Sequence, residues 1–424
     1  MATKMSLIVT FISYFWVRHS FALDTLHQGD TLGSSEYLSS AKGNFILGFS
    51  NLEDSDQIFN GSSRIYLGIW FSNGNEMIWL ANRDNPLLKP SGNLTIDSTG
   101  RLIIKRERGN PIELYSGGTV ASNASAMLQD DGNFVLREVF ANGSTGKILW
   151  QSFDYPTNIL LPGMKLGVNH KTGRNWSLTS WLADNSPASG PFTLQWDPRG
   201  RRLEIWQRGK LIWTSRMRTI DNSTSMDSID FSYYFNYSNV SNVEEDYFTY
   251  SLADAYYYAN SGAKTIWKLD HIGRVLDLDG DVLVQTSGKC YGYNTDNGCE
   301  KREYPKWRTT GDKFELRAGG FLLPGGFDNG VFYSDSSFGP GDCREMCWND
   351  CNCKGFSANE GTWCRIYNKS KNYFVRDYAG LYSNYYVLIR GASGNGKSTN
   401  FSYVCENGFI FILQNFLCRV KTGK

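Results

Sequence analysis

"IDSTGRLII" (Ile96–Ile104) is a short run that the chain repeats. It returns as "WDPRGRRLEI" (Trp196–Ile205) and as "LDHIGRVLDL" (Leu269–Leu278). A looser copy is "LQDDGNFVL" (Leu128–Leu136), with Gln129 at the Asp position and Asn133 at the Arg position. Each of the first three copies reads apolar, Asp, two variable residues, Gly, Arg, then apolar. An aspartate can accept hydrogen bonds from a turn's backbone, and glycine takes positive φ at little cost. The unit is therefore strand, glycine turn, strand. Copies at 96 and 128, then at 196 and 269, predict two successive β lobes built from one unit.

The surrounding sequence agrees. "SRIYLGIWF", "EMIWLANR", "RLIIKRE", "NFVLREVF", "RRLEIWQ", "KLIWTS" and "DVLVQTS" are strand-like runs bounded by Gly, Asn, Asp and Ser. From Leu23 to about Lys289 the chain reads as all-β, and no useful helical period precedes residue 340. Then "GPGDCREMCWNDC" predicts a short helix with Asp342 as its cap and Cys343, Cys347 and Cys351 on one face. Strands "TWCRIYN" and "SNYYVLIR" follow. A helix stapled to a small sheet suits a module too small to stand on its apolar core.

The bulk properties narrow the class. The 424 residues hold 43 Lys and Arg against 42 Asp and Glu, a formal charge of +1. That balance gives no electrostatic reason to expect nucleic acid or acidic lipid as partner. Residues 1–22 carry Lys4, the apolar run "MSLIVTFISYFWV" and the small-residue stretch "SFA", the pattern of a secretory leader. Sequons for N-glycosylation begin at Asn60, Asn93, Asn123, Asn142, Asn175, Asn222, Asn236, Asn239, Asn368 and Asn400. All nine cysteines lie from Cys290 onward, five of them within 343–364. In an exported chain such a cluster reads as disulfides. Its spacing lacks the paired C-x-x-C knuckles of zinc modules, and the nearest histidine, His271, is distant.

A family is carried by four stretches in order: "YLGIWF…MIWLANRDNPL" (Tyr66–Leu87), "LQDDGNFVL", "LWQSFDYPTNILLPGMKLG" (Leu149–Gly167) and "TSWLADNSPASGPFTLQWDPRG" (Thr179–Gly200). With the cysteine pattern at 343–364 they resemble plant S-domain proteins, the ectodomains of G-type lectin S-receptor-like kinases and the related S-locus glycoproteins. The resemblance implies a mainly β chain. A bulb-type lectin β-prism at 23–153 is followed by a second lectin-like S-locus region at 154–310, then a disulfide-rich α+β PAN/apple module at 311–390. Residues 391–424 form a linker and a truncated or alternatively terminated tail. The family's EGF-like module, which needs about six cysteines, has only Cys290 and Cys299 in its place. The resemblance pairs Cys343 with Cys364 and Cys347 with Cys353. Cys290 and Cys299 either join each other or one reaches Cys351, and Cys405 and Cys418 are left unassigned. The implied role is recognition by a secreted, apoplastic glycoprotein, membrane-associated if a longer form exists. A receptor-like kinase, a second copy of the chain or a glycan are the implied partners, and pollen recognition occurs in part of the family.

Bulb-type lectins hold mannose with Q-x-D-x-N-x-V-x-Y, whose polar side chains offer donors and acceptors to sugar hydroxyls. This chain has Gln129, Asp131, Asn133 and Val135, but Arg137 replaces the tyrosine. In the copy at 96, Thr99 and Arg101 replace Asp and Asn. The competing reading is that Gln129, Asp131 and Asn133 merely stabilise a turn. Catalysis finds little support. The histidines are His19, His27, His170 and His271, and no H-E-x-x-H, G-x-S-x-G or kinase signature occurs. "DLDGD" (Asp277–Asp281) lacks the Gly and Glu of a calcium loop, with Val282 and Gly288 in their places, and reads as a hairpin turn. "GASGNGKS" (Gly391–Ser398) fits the phosphate-loop pattern G-x-x-x-x-G-K-[ST] after a strand-like run. The following "TNFSYVCENG" is a poor helix, so the stretch reads as a linker, without nucleotide. No cofactor or metal is expected.

Overall fold

In the computed structural model the repeated turn closes in the same way at Asp97, Gln129 and Asp270. Asp97 donates its backbone N–H to the Arg101 carbonyl (3.0 Å), and Gly100 N–H returns to the Asp97 carbonyl (2.9 Å). The carboxylate accepts from the backbone of Thr99 and Arg101 at 2.9 and 3.1 Å and from the Arg101 guanidinium at 2.8 Å. Asp270 repeats the pattern with Ile272 and Arg274 at 3.1, 2.7 and 2.6 Å. The copy at Asp197 holds one more residue. Arg201 takes φ 47° there, and Arg202 rather than Arg201 reaches the aspartate (3.2 Å). Burial by itself would raise the Asp97 carboxyl, but the bonds from Thr99 and Arg101 prevail and lower it from 3.8 to about 2. A carboxylate depressed in the folded state adds stability above its unfolded pKa and loses it as pH falls through its folded value. Asp97→Asn is therefore expected to flatten the fall in melting temperature between about pH 4 and pH 2, and to leave the slope near neutrality alone. Parallel acid titrations of the two proteins check this.

The structure describes residues 23–51, 64–74, 76–88, 92–117, 123–215, 217–220, 223–226, 235–252, 266–277, 282–284, 305–309, 311–323, 326–327, 330–335, 338–359, 363–368, 373–376, 384–391, 403–405 and 418–420. The leader, Asn60, Asn222, Asn400, Cys290, Cys299 and residues 392–398 of the phosphate-loop-like stretch lie outside them, as do the side chains of Cys405 and Cys418.

The first lobe comprises β1 (Thr25–His27), β2 (Thr31–Leu32), β3 (Tyr37–Ser39), β4 (Phe45–Asn51), β5 (Ile65–Phe71), β6 (Met77–Leu80), β7 (Asn93–Ile96), β8 (Leu102–Lys105), β9 (Ile112–Tyr115), β10 (Ala124–Leu128), β11 (Phe134–Val139) and β12 (Thr145–Gln151). They form three four-stranded antiparallel sheets, β3-β4-β5-β6, β2-β7-β8-β9 and β1-β10-β11-β12. This is a three-sided prism whose inner rows, among them Leu38, Leu47, Leu94, Ile104, Phe134 and Leu136, make its core.

A second prism repeats the plan. Its strands are β13 (Ile159–Leu160), β14 (Leu166–Asn169), β15 (Asn175–Trp176), β16 (Leu178–Ala183), β17 (Ser186–Asp197), β18 (Arg202–Gln207), β19 (Lys210–Thr214), a hairpin of β20 (Met217–Ile220) and β21 (Ser223–Met226), β22 (Phe235–Ser241), β23 (Glu245–Leu252), β24 (Trp267–Leu269), β25 (Val275–Leu276) and β26 (Val282–Val284). Its sheets are β16-β17-β18-β19, β15-β14-β23-β22 and β13-β24-β25-β26. β25 pairs antiparallel with β26, and residues 278–281 of the "DLDGD" segment between them lie outside the described residues.

Each prism has one hairpin that the repeat pattern does not reveal. In the first, Ser40 stands for the aspartate, and its hydroxyl accepts from Asn44 and Phe45 N–H at 3.2 and 3.1 Å. In the second, Asn242 accepts from Glu244 and Glu245 N–H at 2.8 and 2.9 Å.

The C-terminal module contains β27 (Lys313–Leu323), β28 (Gly326–Phe327), β29 (Val331–Ser334), α1 (Pro340–Asn349), β30 (Cys353–Asn359), β31 (Trp363–Asn368), β32 (Tyr373–Arg376) and β33 (Asn384–Ile389). Bridges Cys343–Cys364 and Cys347–Cys353, each with Cα atoms 5.3 Å apart, pin α1 to the sheet. Cys351 is disulfide-bonded too. Two readings need correction. Asp342 is not the cap residue: Gly339 is, and Asp342, one turn in, reaches back to accept its N–H at 2.9 Å. Cys351 lies beyond the end of α1 at Asn349 rather than on its face with Cys343 and Cys347. The segment ahead of residue 311 also grips the helix. Arg308 donates to the carbonyls of Cys347, Trp348 and Asp350 at 2.7, 2.9 and 2.8 Å, which places a cation at the negative end of α1.

Candidate functional site

The turn between β10 and β11 carries the sugar-site pattern. Asn133 sits where the strand leaves the turn, and its side chain is already committed. Its amide nitrogen donates to Gln151 Oε1 (3.0 Å), and its carbonyl oxygen accepts from Ser152 Oγ (3.2 Å) and Phe153 N–H (3.3 Å). Ser152 Oγ in turn accepts from Phe134 N–H at 2.9 Å. Asn133 is only 6% exposed and Val135 1%. Asp131 is exposed, but its Oδ1 accepts from Asn133 N–H (2.9 Å) within the turn. Gln129, half-buried, closes the turn through its backbone, accepting from Gly132 N–H at 3.0 Å and donating to Asn133 at 2.8 Å. Gly132 has φ 88°, and a Cβ there would lie 2.9 Å from Phe45 and 3.1 Å from Leu161 of the second prism. The turn is thus packed from both sides, and its central amide fastens the first prism to the segment entering the second. These four residues are brought together, in the geometry of a structural turn.

A denser constellation joins the prisms, at "WLANRDN" (Trp79–Asn85). Asn82 braces the loop: it accepts from Leu67 N–H (2.8 Å) and donates to the Ile65 and Asn85 carbonyls, both at 3.2 Å. That aims Arg83 across the gap. Its guanidinium donates to the backbone carbonyls of Pro187 (2.8 Å), Thr179 (2.9 Å), Ser180 (2.6 Å) and Ala188 (3.3 Å), on β16 and β17. Burial drives this guanidinium down to about 10, against the pull of Asp84. Asp84 accepts from the Ser189 N–H and hydroxyl, both at 2.7 Å. Trp79 donates to the Tyr155 carbonyl (2.8 Å), and Lys268 pairs with Glu76 (2.7 Å). Tyr66, Met77 and Leu80 pack against Trp181 alongside. Sequence reasoning had no signal for these roles beyond the concentration of Asn, Arg and Asp after an apolar strand. The acceptors lie about a hundred residues downstream.

The second prism holds the C-terminal module by a similar device. Arg208 donates from Nε and Nη2 to the two Asp342 carboxylate oxygens at 2.8 and 2.9 Å, and Gln207 donates to the Gly341 carbonyl at 3.2 Å. Asp342 therefore both accepts the Gly339 N–H at the start of α1 and docks the helix on the second prism. At the module's far end, Arg390 and the Gly391 N–H both reach the fully buried Asp312, at 2.9 and 3.1 Å. The strand before Gly391, β33, runs antiparallel to both β27 and β30. A phosphate-cradling loop instead follows a strand of a parallel sheet.

Among the sequons, Asn123, Asn142, Asn175 and Asn236 are exposed, whereas Asn93, Asn239 and Asn368 are half-buried. No group of His, Cys, Asp and Glu among the described residues is arranged to hold a metal ion. No helix among them is long and apolar enough to cross a membrane.

The D-mannose binding lectin family matches residues 76–182, from just before β6 into β16. A G-type lectin S-receptor-like serine/threonine-protein kinase of Arabidopsis thaliana is 34% identical over 81% of this chain and 44% of its own length. The S-locus-specific glycoprotein of Brassica oleracea is 28% identical over 91% of this chain and 96% of its own. The chain spans less than half the length of the two Arabidopsis kinases that share 34% identity with it. Among solved structures, the mannose-specific agglutinin of snowdrop (Galanthus nivalis) bulbs, complexed with methyl-α-D-mannoside, is 24% identical over 29% of this chain and 99% of that one, with a TM-score of 0.21.

Proposed function

Since this chain belongs to the S-domain family, matching the lectin-bearing part of G-type lectin S-receptor-like kinases and the S-locus glycoproteins, we propose that it is an exported recognition glycoprotein that binds a protein partner. It performs no chemistry of its own. The observation that carries this reading is the commitment of the Asn133 amide to Gln151, Ser152 and Phe153. A sugar hydroxyl would have to displace bonds that fasten the turn to the segment entering the second prism. What remains for recognition is outer surface, held rigid by the Arg83 junction and the Arg208–Asp342 pair. The partner is a receptor-like kinase or a second copy of the chain, which would make this the sensing half of a signalling complex.

The experiment is an unbiased pull-down with the secreted, glycosylated protein, run beside a glycan array. A stoichiometric receptor or a self-complex supports the reading, and recovery of free monomer alone counts against it. Asn133→Ala is expected to cost about 1–3 kcal/mol of stability by orphaning its partners, with mannose signal at background before and after. A mannose signal that the substitution abolishes would instead make the chain a lectin. Transcripts extending past Lys424 into kinase sequence would make it the sensing half of one receptor polypeptide.

A further inference from the structure

Two sequons stand three residues apart on one edge strand, and the strand turns them opposite ways. Asn236 opens N-Y-S and Asn239 opens N-V-S, both on β22, at the margin of the sheet β15-β14-β23-β22. Residues opposite each other in an antiparallel pair lie on the same side of the sheet. Asn236 stands opposite Ser251, and Asn239 opposite Phe248, which itself stands opposite Leu166. Phe248 and Leu166 are 1% and 0% exposed. Asn239 therefore completes a row that points at the prism core. Phe235 and Tyr237 share its side of the strand, with their rings 5.3 Å from Tyr250 and 5.9 Å from Phe248. Asn236 and Ser251 are both exposed on the outer side.

A glycan is bulky and fully solvated, so it can hang only from a side chain that leaves the sheet outward. We infer that Asn236 carries an N-linked glycan and that Asn239 carries none. This rests on the reading that the chain is exported. In the transfer, the Asn236 amide nitrogen attacks C1 of a lipid-pyrophosphate-linked oligosaccharide. The N–C1 bond forms, the C1–O bond breaks, the amide proton passes to a base of the transferase, and the lipid pyrophosphate leaves. A glycan on Asn239 would require its side chain to swing out of the Leu166–Phe248 row and uncover the aromatic core. The occupied Asn236 also removes the outer side of β22 from any partner's reach.

The test is glycopeptide mapping of the full chain secreted from plant cells, with Asn236→Gln, Asn239→Gln, Ser238→Ala and Ser241→Ala beside it. The serine variants abolish each sequon while leaving its asparagine in place. Asn236→Gln and Ser238→Ala are expected to lose one glycan each, and Asn239→Gln and Ser241→Ala none. Asn239 stays bare even when Asn236 is removed. If it becomes occupied then, crowding by its neighbour rather than its inward direction kept it bare, and the inference fails. A secreted chain with a glycan on Asn239, or with none on Asn236, overturns the inference and leaves the export reading standing. A chain retained in the cell with every sequon bare overturns both.

Discussion

Replacing Arg83 with alanine is expected to uncouple the two prisms. The side chain meets four carbonyls of β16 and β17, none of which the alanine can reach. Hydrogen bonds from a charged donor each contribute about 1.5–3 kcal/mol, and an acceptor left buried and unpaired costs about 1–3 kcal/mol. Such neighbouring contributions do not add, and the net loss should be about 3–5 kcal/mol, the scale seen when one partner of a buried charged contact is removed. It falls on the junction rather than on either core. Calorimetry should then resolve two transitions for the variant and one, shared by both prisms, for the parent protein. Arg83→Lys is expected to recover only a minor part, because one ammonium cannot span acceptors spaced for a planar fork. A melting profile for Arg83→Ala that stays single and within about 2 °C of the parent would remove the junction from the account.

The second large effect belongs to the C-terminal module. Cys343–Cys364 closes a loop of 21 residues and Cys347–Cys353 one of 6, and both bridges are buried beside Phe356 and Ile366. Chain entropy assigns about 3 kcal/mol to the longer loop and about 2 kcal/mol to the shorter. Four of the six buried residues in the core cluster under α1 are the half-cystines themselves, so the bridges are a large part of what holds α1 to β30 and β31. Cys343→Ala with Cys364→Ala should lower the module's unfolding well below that of the prisms, and the Cys347–Cys353 removal should lower it less. Protease nicking within 340–368, followed by mass spectrometry, reads this directly. Equal resistance in both variants and the parent would mean that the sheet, not the bridges, carries the module.

Most of the architecture could be read from one local device. An aspartate, two residues, then a glycine marks the hairpins at 97, 197 and 270, and in each the carboxylate accepts the N–H two residues on. Where the chemistry changes, the pattern goes silent. Ser40 and Asn242 do the same work with a hydroxyl and an amide, so only four of six hairpins were visible in the sequence. The candidate sugar site was legible as residue types but not as a function, since whether the Asn133 amide is spare depends on Gln151 and Ser152 arriving beside it. Arg83 was the least legible. Its partners are main-chain carbonyls, which every sequence possesses. Asp342 was assigned the right helix and the wrong position, because Gly339, lacking a side chain, still supplies the N–H that the carboxylate reaches back to.

The C-terminal module takes in and gives out its chain at one corner. β27 and β33 pair from Lys313 opposite Ile389, and Gly311 lies against Gly391 just outside that first rung. Tension between the second prism and anything joined after Gly391 would open this ladder one rung at a time, like a zipper, rather than shear all rungs together. Asp312, gripping both Arg390 and the Gly391 N–H, sits at the slider. It is the catch that must release before a mechanical load can reach the sheet.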